Sequence, residues 1–269
     1  MHVVGVIAEY NPFHNGHKHH LDETRRLTGC DFLVVAMSGA FTQRGEPALI
    51  DKWTRARMAL QGGADLVVEL PAVFALRTAD HFARGGVELL GQLGVDGLSF
   101  GCETGSLRAL NEMSWALSEE PPELTEEIRA RLQEGKSHAR ARGEALAKVL
   151  KLPPELVNAP NTVLALEYLK ANRALERPMK VLVVKRTSDY HSPQMHTLAS
   201  ASAIRAAIYG GREQEAFDAM PESSAALIKE GGWAKLSNPA ALDNLLLYRL
   251  RALDAAQIAG LPDVSEGLE

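Results

Sequence analysis

Gly5 to Leu21 reads GVIAEYNPFHNGHKHHL, and how this stretch is parsed decides the fold. An apolar run that begins at His2 stops at Asn11-Pro12, and histidines follow at 14, 17, 19 and 20. Proline lacks an N–H and pushes the residue before it towards extended backbone, so a strand ends near Glu9 and the chain turns. A helix beginning at Asn15 to His17 would carry His14 and His17 at its N-terminus, where unpaired N–H groups and the helix dipole favour anions. Gly16, between them, would let a phosphate come close to the backbone. Two other readings stand beside this one. The histidines could cap the helix or lie on its surface, or they could ligate a metal. His17 and His20 can share a helical face, but no HExxH pattern or further ligand set accompanies them. His19 and His20 individually read as solvent-facing or packing residues.

Working outward, the same strand-turn-helix unit recurs. His2–Glu9, Asp31–Ser38, Asp65–Pro71, Gly94–Gly101 and Lys180–Arg186 are short, nearly continuous apolar segments, the pattern of strands covered on both faces. His17–Leu27, Lys52–Gln61 and Ala79–Leu93 are helical candidates between the first four. This alternation predicts an α/β fold with a doubly wound, parallel five-stranded sheet, in which ligands sit beyond the carboxyl ends of the strands where the strand order reverses. Glu123 to Leu150, entered through Pro121-Pro122 and left through Pro153-Pro154, predicts a long polar helical insertion over about 121–155. Asn161 is an N-cap candidate for the helix that follows. A catalytic domain over 1–210 and a helical region over 211–269, including Ala241–Leu253, complete the expected organisation. The abrupt end in GLPDVSEGLE suggests a piece of a longer protein.

Bulk composition sets the class. The chain has 269 residues, 46% hydrophobic and 23% charged, which is a core-forming balance. A formal charge of -5 argues against a protein coated in nucleic acid and gives no support for DNA as a partner, although it leaves room for a local basic patch. Two cysteines, Cys30 and Cys102, do not make a disulfide framework or a cysteine zinc site, so a reducing cytoplasm is expected. No apolar run reaches the roughly 20 residues that span a bilayer, so no membrane partner is expected.

Two motifs carry a resemblance. HNGH after the first strand resembles the H-x-G-H signature of the adenylyl-transferring nucleotidyltransferase superfamily. LASASAIRAAI, Leu198 to Ile208, resembles that superfamily's late Ser/Thr-rich motif, with Ser200, Ser202 and Arg205 at its positions. More closely, the opening stretch, VVAMSGAFTQRGEPALIDKWTRARMALQGGADLVVELP, SFGCE, NAPNTVLALEYLKA and VVKRTSDYH resemble, in order, the bacterial tRNA(Met) cytidine acetate ligase family. The resemblance implies a nucleotidyltransferase, Rossmann-like core. It implies adenylation of acetate by ATP, with Mg²⁺ expected alongside, and transfer of the acetyl group to N4 of the wobble cytidine in the anticodon loop of elongator tRNA(Met). It further implies an ATP site formed by Ile7, Ala8, Glu9, Tyr10, Asn11, Pro12, Phe13, His14, Asn15, Gly16, His17, Lys18, His19 and His20, with Gly101, Asn161 and Arg186. For the phosphates, His14 and His17 can donate to oxygens while Arg186 and Arg205 neutralise charge. Gly101 permits close approach of the adenosine, and Asn161 can read a ribose or base edge; the plain alternatives are a turn glycine and a helix cap. Gln43, Arg44, Lys52, Arg55 and Arg57, and His138, Arg140 and Arg142 on the insertion, are further candidates for tRNA phosphates or the acetate pocket, against solvated charged faces. Asp80 and His81 read as caps. Rival functions are a superfamily adenylyltransferase acting on a cofactor precursor and a tRNA-binding protein that uses ATP structurally.

Overall fold

The structure, a computed structural model, describes residues 1–186, 200–231, 236–237, 239–261 and 264. The first half alternates strands and helices: β1 (Val3–Ala8), α1 (Asn15–Thr28), β2 (Phe32–Ser38), α2 (Lys52–Gln61), β3 (Leu66–Leu70), α3 (Ala72–Ala75), α4 (Ala79–Gln92) and β4 (Gly97–Cys102). Five helices follow before the last strand: α5 (Leu107–Glu119), α6 (Pro122–Gln133), α7 (His138–Leu150), α8 (Pro154–Val157) and α9 (Pro160–Arg173), then β5 (Lys180–Lys185). The rest is helical: α10 (Ala201–Tyr209), α11 (Glu213–Asp218), α12 (Glu222–Gly231), α13 (Pro239–Ala252) and α14 (Ala255–Ala259).

All strands are parallel, in the order β3-β2-β1-β4-β5. The chain winds outward from β1 to β3, then returns to the other side of β1 for β4, so the order reverses between β1 and β4. Pairing there covers only Val4↔Gly97 to Val6↔Ser99. By contrast β1–β2 continues to Ala8↔Met37 and β4–β5 to Cys102↔Lys185. The carboxyl ends of β1 and β4 thus run on beyond their last paired residues, and a crevice opens at the reversal point, the place where such sheets hold ligands.

Side chains alternate across the sheet with a period of two. Val4 and Val6 on β1 and Leu33, Val35 and Met37 on β2 join one buried cluster with Leu21, Met58, Ile204, Phe217 and Ile228. Ile7, Val34 and Ala36 join the other, with Phe82, Leu90, Leu110, Leu146 and Leu166. Close contact between β1 and α4 needs glycine on both: a Cβ on Gly5 would lie 2.7 Å from Leu90 Cδ1, and one on Gly86 2.7 Å from Ile7 Cδ1. Asp31, Asp65 and Asp96, each just before a strand, accept the N–H of His2, Leu33 and Val3 at 2.7, 2.7 and 2.8 Å and fix the heads of neighbouring strands.

The structure adds detail to three expectations. First, the helical insertion consists of two helices, α6 and α7, separated where Gly135 adopts φ 79°, with Ser137 at the N-cap position of the second. Its Leu124, Ile128, Ala145 and Leu146 belong to the core. Second, β4 begins at Gly97 instead of Gly94, because Gly94 takes φ 73° in the turn closing α4. Third, packing runs past residue 210: Ala216, Phe217, Met220, Leu227 and Ile228 are buried in the cluster that holds Val4.

Candidate active site

The turn between β1 and α1 supplies the centre of the site. His14 is the N-cap of α1: its Nδ1 accepts the Gly16 N–H at 3.0 Å, and its own N–H donates to His17 Nδ1 at 3.3 Å. This is a capping box built from two histidines in place of the usual Ser and Glu. An imidazole nitrogen that accepts carries no proton, so in the neutral ring the proton sits on Nε2. Both rings therefore offer an Nε2–H, and among the described residues neither has a protein partner for it. The rings stack with centroids 3.8 Å apart, and His17 rests on Tyr10 and Phe13, with centroids at 4.8 and 5.7 Å.

Burial, reinforced by the nearby Arg186 guanidinium, lowers the His14 pKa to about 4. His17 is held well below the ordinary range by burial, then by His14, Arg186 and His20. His20 is lowered to about 4 by burial, then Arg186 and His19. All three are neutral at pH 7, so the donors are polar groups and not cations. The charge belongs to Arg186, just after β5, whose N–H bonds Cys102 O at 2.9 Å. Gly101 lies beneath it: a Cβ there would sit 3.3 Å from Arg186 Cγ.

Lowered histidine pKa values set the direction of acid sensitivity. Between pH 6.5 and about 4 the unfolded chain binds protons that the folded chain excludes, so stability falls as pH drops through that window and is level above it. Urea midpoints measured from pH 7.5 to 4.5 should show this slope. It should be shallower in His20→Gln, whose amide can still bond Ser99.

The structure changes the expected anion cradle. The first-turn N–H groups of α1 are occupied: Asn15 N by Ala219 O at 3.0 Å, Gly16 N by His14 Nδ1, and His17 and Lys18 N by His14 O at 2.9 and 3.1 Å. Anion binding at this turn therefore falls to side chains. Gly16 makes room for the His14 ring, since a Cβ there would lie 2.8 Å from His14 Cε1.

Within the expected segment, roles divide. Ile7, Tyr10, Pro12 and Phe13 are buried; Ile7, Tyr10 and Phe13 pack in the core. Ala8 ends β1, and Glu9 Oε1 accepts the Gln43 N–H at 2.8 Å. Asn11 Oδ1 accepts from Leu49 N at 2.7 Å. Asn15 turns towards α11, with Nδ2 3.5 Å from Asp218 O. Lys18 pairs with Asp22 at 2.7 Å on the exposed face. His19 is partly exposed, and His20 bonds Ser99 Oγ at 3.0 Å, which bonds Thr24 Oγ1 at 2.7 Å, a polar chain joining α1 to β4.

Of the late motif, Ser200 to Ile208 are described, and Leu198 and Ala199 lie outside the described residues. Ser200 caps α10, accepting from Ala203 N at 3.2 Å, with Ser202 Oγ 3.1 Å from its hydroxyl. Arg205 donates to Asn11 O at 2.7 Å and approaches Glu46 at 3.7 Å, so it ties α10 to the β1–α1 turn. Asn161 is not a cap. Ala159 holds that position, with Pro160 at the first helical residue, and Asn161 Nδ2 donates to Glu103 Oε1 at 2.6 Å.

Two surface expectations are corrected, at Arg55 and at the cap of α4, and the helix face of Arg140 and Arg142 follows its plainer reading. Arg55 is fully buried and donates to the carbonyls of Ile50, Glu9, Ser38 and Gly39, so it cannot reach tRNA. Arg140 pairs with Glu144 and Arg142 with Glu167, which makes that face an ion-paired helix surface. Thr78, not Asp80 or His81, is the N-cap of α4; Asp80 and His81 pair at 3.1 Å. Sequence reading missed Glu103. Its signal was a carboxylate two residues beyond the strand glycine Gly101.

Comparison with known proteins shows the family and the fold. A family model described as HIGH nucleotidyl transferase matches residues 1–269. The tRNA(Met) cytidine acetate ligase of Clostridium perfringens (strain SM101 / Type A) is 38% identical over 282 residues, covering all of this chain and 69% of the relative. That of Thermoanaerobacter sp. (strain X514) is 39% identical over 277 residues, covering 68% of the relative. The crystal structure of Thermotoga maritima TmcAL in its apo form superposes with a TM-score of 0.86 at 34% identity, over 99% of this chain and 66% of that one. A second form of that protein, bound with alpha-thio ATP, gives 0.74 at 37% identity, over 84% of this chain and 55% of that one. The chain therefore spans about two thirds of the length of these relatives. The family model over the whole chain, the identity to these relatives and the shared fold place it in the HIGH nucleotidyl transferase family and, within that, in the tRNA(Met) cytidine acetate ligase family.

Proposed function

We propose that this chain activates acetate with ATP as acetyl-adenylate and delivers the acetyl group to N4 of the wobble cytidine of elongator tRNA(Met), in the cytoplasm. The observation that carries the reading is the tautomer-locked pair His14 and His17, two Nε2–H donors beside Arg186 at the reversal point of the sheet. An acetate oxygen attacks the α-phosphorus of ATP, the bond to the bridging oxygen breaks, and pyrophosphate leaves with the electron pair. Charge collects on the phosphate oxygens during this step. Fixed donors and Arg186 stabilise it without having to reorganise. The cytidine amine, a poor nucleophile, then attacks the acetyl carbonyl and AMP leaves. Mg²⁺ would be held by the ATP phosphates and would add charge neutralisation there, since no cluster of three His, Cys, Asp or Glu side chains among the described residues could hold a metal ion.

The test is acetate-dependent exchange of labelled pyrophosphate into ATP without tRNA. Exchange that needs acetate supports the adenylation half; exchange driven equally by other small acceptors, or none with ATP bound, points to the rival readings. Gly16→Ala probes the geometry further. The added methyl must displace the His14 ring, so exchange should fall by up to about 10²-fold, while the melting temperature falls only slightly because alanine's better helix propensity offsets part of the lost cap.

A further inference from the structure

Glu103 has no role in the reaction as described, yet it occupies a defined place beside the crevice. It follows Cys102, the last residue of β4, in the part of the strand that runs beyond its pairing with β1. The first turn of α9 packs against it. Glu103 Oε1 accepts from Asn161 Nδ2 at 2.6 Å, and Oε2 accepts from Thr162 Oγ1 at 3.4 Å. Thr162 is fully buried, with its hydroxyl 3.4 Å from Cys102 Sγ, so the junction of β4 and α9 is packed and not a loose surface contact.

The consequence concerns the Asn161 amide, whose two ends differ chemically. A carboxylate can only accept, so at 2.6 Å the end of the amide facing it must be the NH₂. The reverse orientation would press two acceptors together. Glu103 thereby fixes the amide flip and leaves the Asn161 carbonyl oxygen, which has no partner among the described residues, as the outward group. A fixed acceptor recognises a donor. On the nucleotide that the proposed function places here, the donors are the 6-amino group of adenine and the ribose hydroxyls.

We propose that Glu103 is a positioning residue for nucleotide selection: it orients Asn161 so that its Oδ1 accepts from an N–H or O–H of the nucleoside. This rests on the ATP reading of the site. A purely structural tie between β4 and α9 would weaken every nucleotide alike when broken, whereas an orienting role is selective for the nucleotide that carries the donor.

Isothermal titration calorimetry with ATP, ITP, 2′-deoxy-ATP and 3′-deoxy-ATP tests it. ITP lacks the 6-amino group, and each deoxy nucleotide lacks one hydroxyl. The wild type should bind ATP about tenfold more tightly than one of the three analogues, the size of one hydrogen bond, and that analogue names the donor. Glu103→Gln, whose amide can present either end, should bring this ratio to about 1. The exchanged pair Glu103→Gln with Asn161→Asp should restore it, because the new glutamine donates to one aspartate oxygen and leaves the other facing outward. An unchanged ratio in Glu103→Gln, an equal loss on all four nucleotides, or a wild type that binds all four alike would overturn the proposal. A wild type that binds no ATP would instead sink the nucleotide reading on which it stands.

Discussion

Arg55→Leu is expected to lose about 3–5 kcal/mol of folding stability, seen as a lower urea midpoint with an unchanged slope. The buried guanidinium donates to Ile50 O at 3.1 Å, Glu9 O at 2.6 Å, Ser38 O at 3.1 Å and Gly39 O. These carbonyls lie at or just beyond the ends of β1 and β2 and in the turn entering α2. Burial lowers the Arg55 pKa to about 10, with Glu9, Asp51 and Glu69 acting in the other direction, so it remains a cation at neutral pH. Leucine fills the volume but strands the four acceptors, and each unpaired buried carbonyl costs about 1–3 kcal/mol before relaxation. For a domain stabilised by roughly 5–15 kcal/mol that is a large fraction. Arg55→Lys should lose less, since its ammonium keeps a donor for part of these carbonyls, although it cannot span the positions reached by Nε and both terminal nitrogens. A loss below about 1 kcal/mol in the leucine variant would show that water replaces the guanidinium.

His14→Ala and His17→Ala should each reduce acetate-dependent pyrophosphate exchange by roughly 10²–10³-fold, the effect of removing one preorganised donor. Both histidines also cap α1, so loss of structure has to be separated from loss of a donor. His14→Asn does this: asparagine is a good N-cap and can keep the Gly16 N–H paired, but it has no counterpart of Nε2–H. It should melt near the wild type while losing most of the exchange. Since these rings are neutral in the free protein, kcat/KM for ATP should show no inflection near pH 6.5. An inflection there would mean that a protonated imidazole binds the phosphates.

Much of this was legible from the chain. β1 to β5 differ from the apolar runs mainly in their end residues, because doubly covered strands carry little polar sequence to confuse the pattern. The histidine turn was legible as a helix start with capping among its readings, but the pairing of His14 with His17 was not, because side-chain nitrogens filling the first-turn amides depend on rotamers. Arg55 was misplaced among surface cations, although its spacing to Met58 and Ala59 puts it on the buried helix face. Charge outweighed periodicity in that reading. Glu103 and Asn161, 58 positions apart, meet only when α9 lies against β4, and no local pattern announces such a contact.

The tautomer-locked histidines have a consequence for ionic strength. A site that grips phosphate with several lysines exchanges counterions on binding and weakens steeply as salt rises. Here the paired imidazoles contribute dipoles, and Arg186 is the cation they feel. Nucleotide affinity should therefore decline gently with added potassium chloride, and inorganic phosphate, which brings charge but no nucleoside, should compete poorly for the crevice.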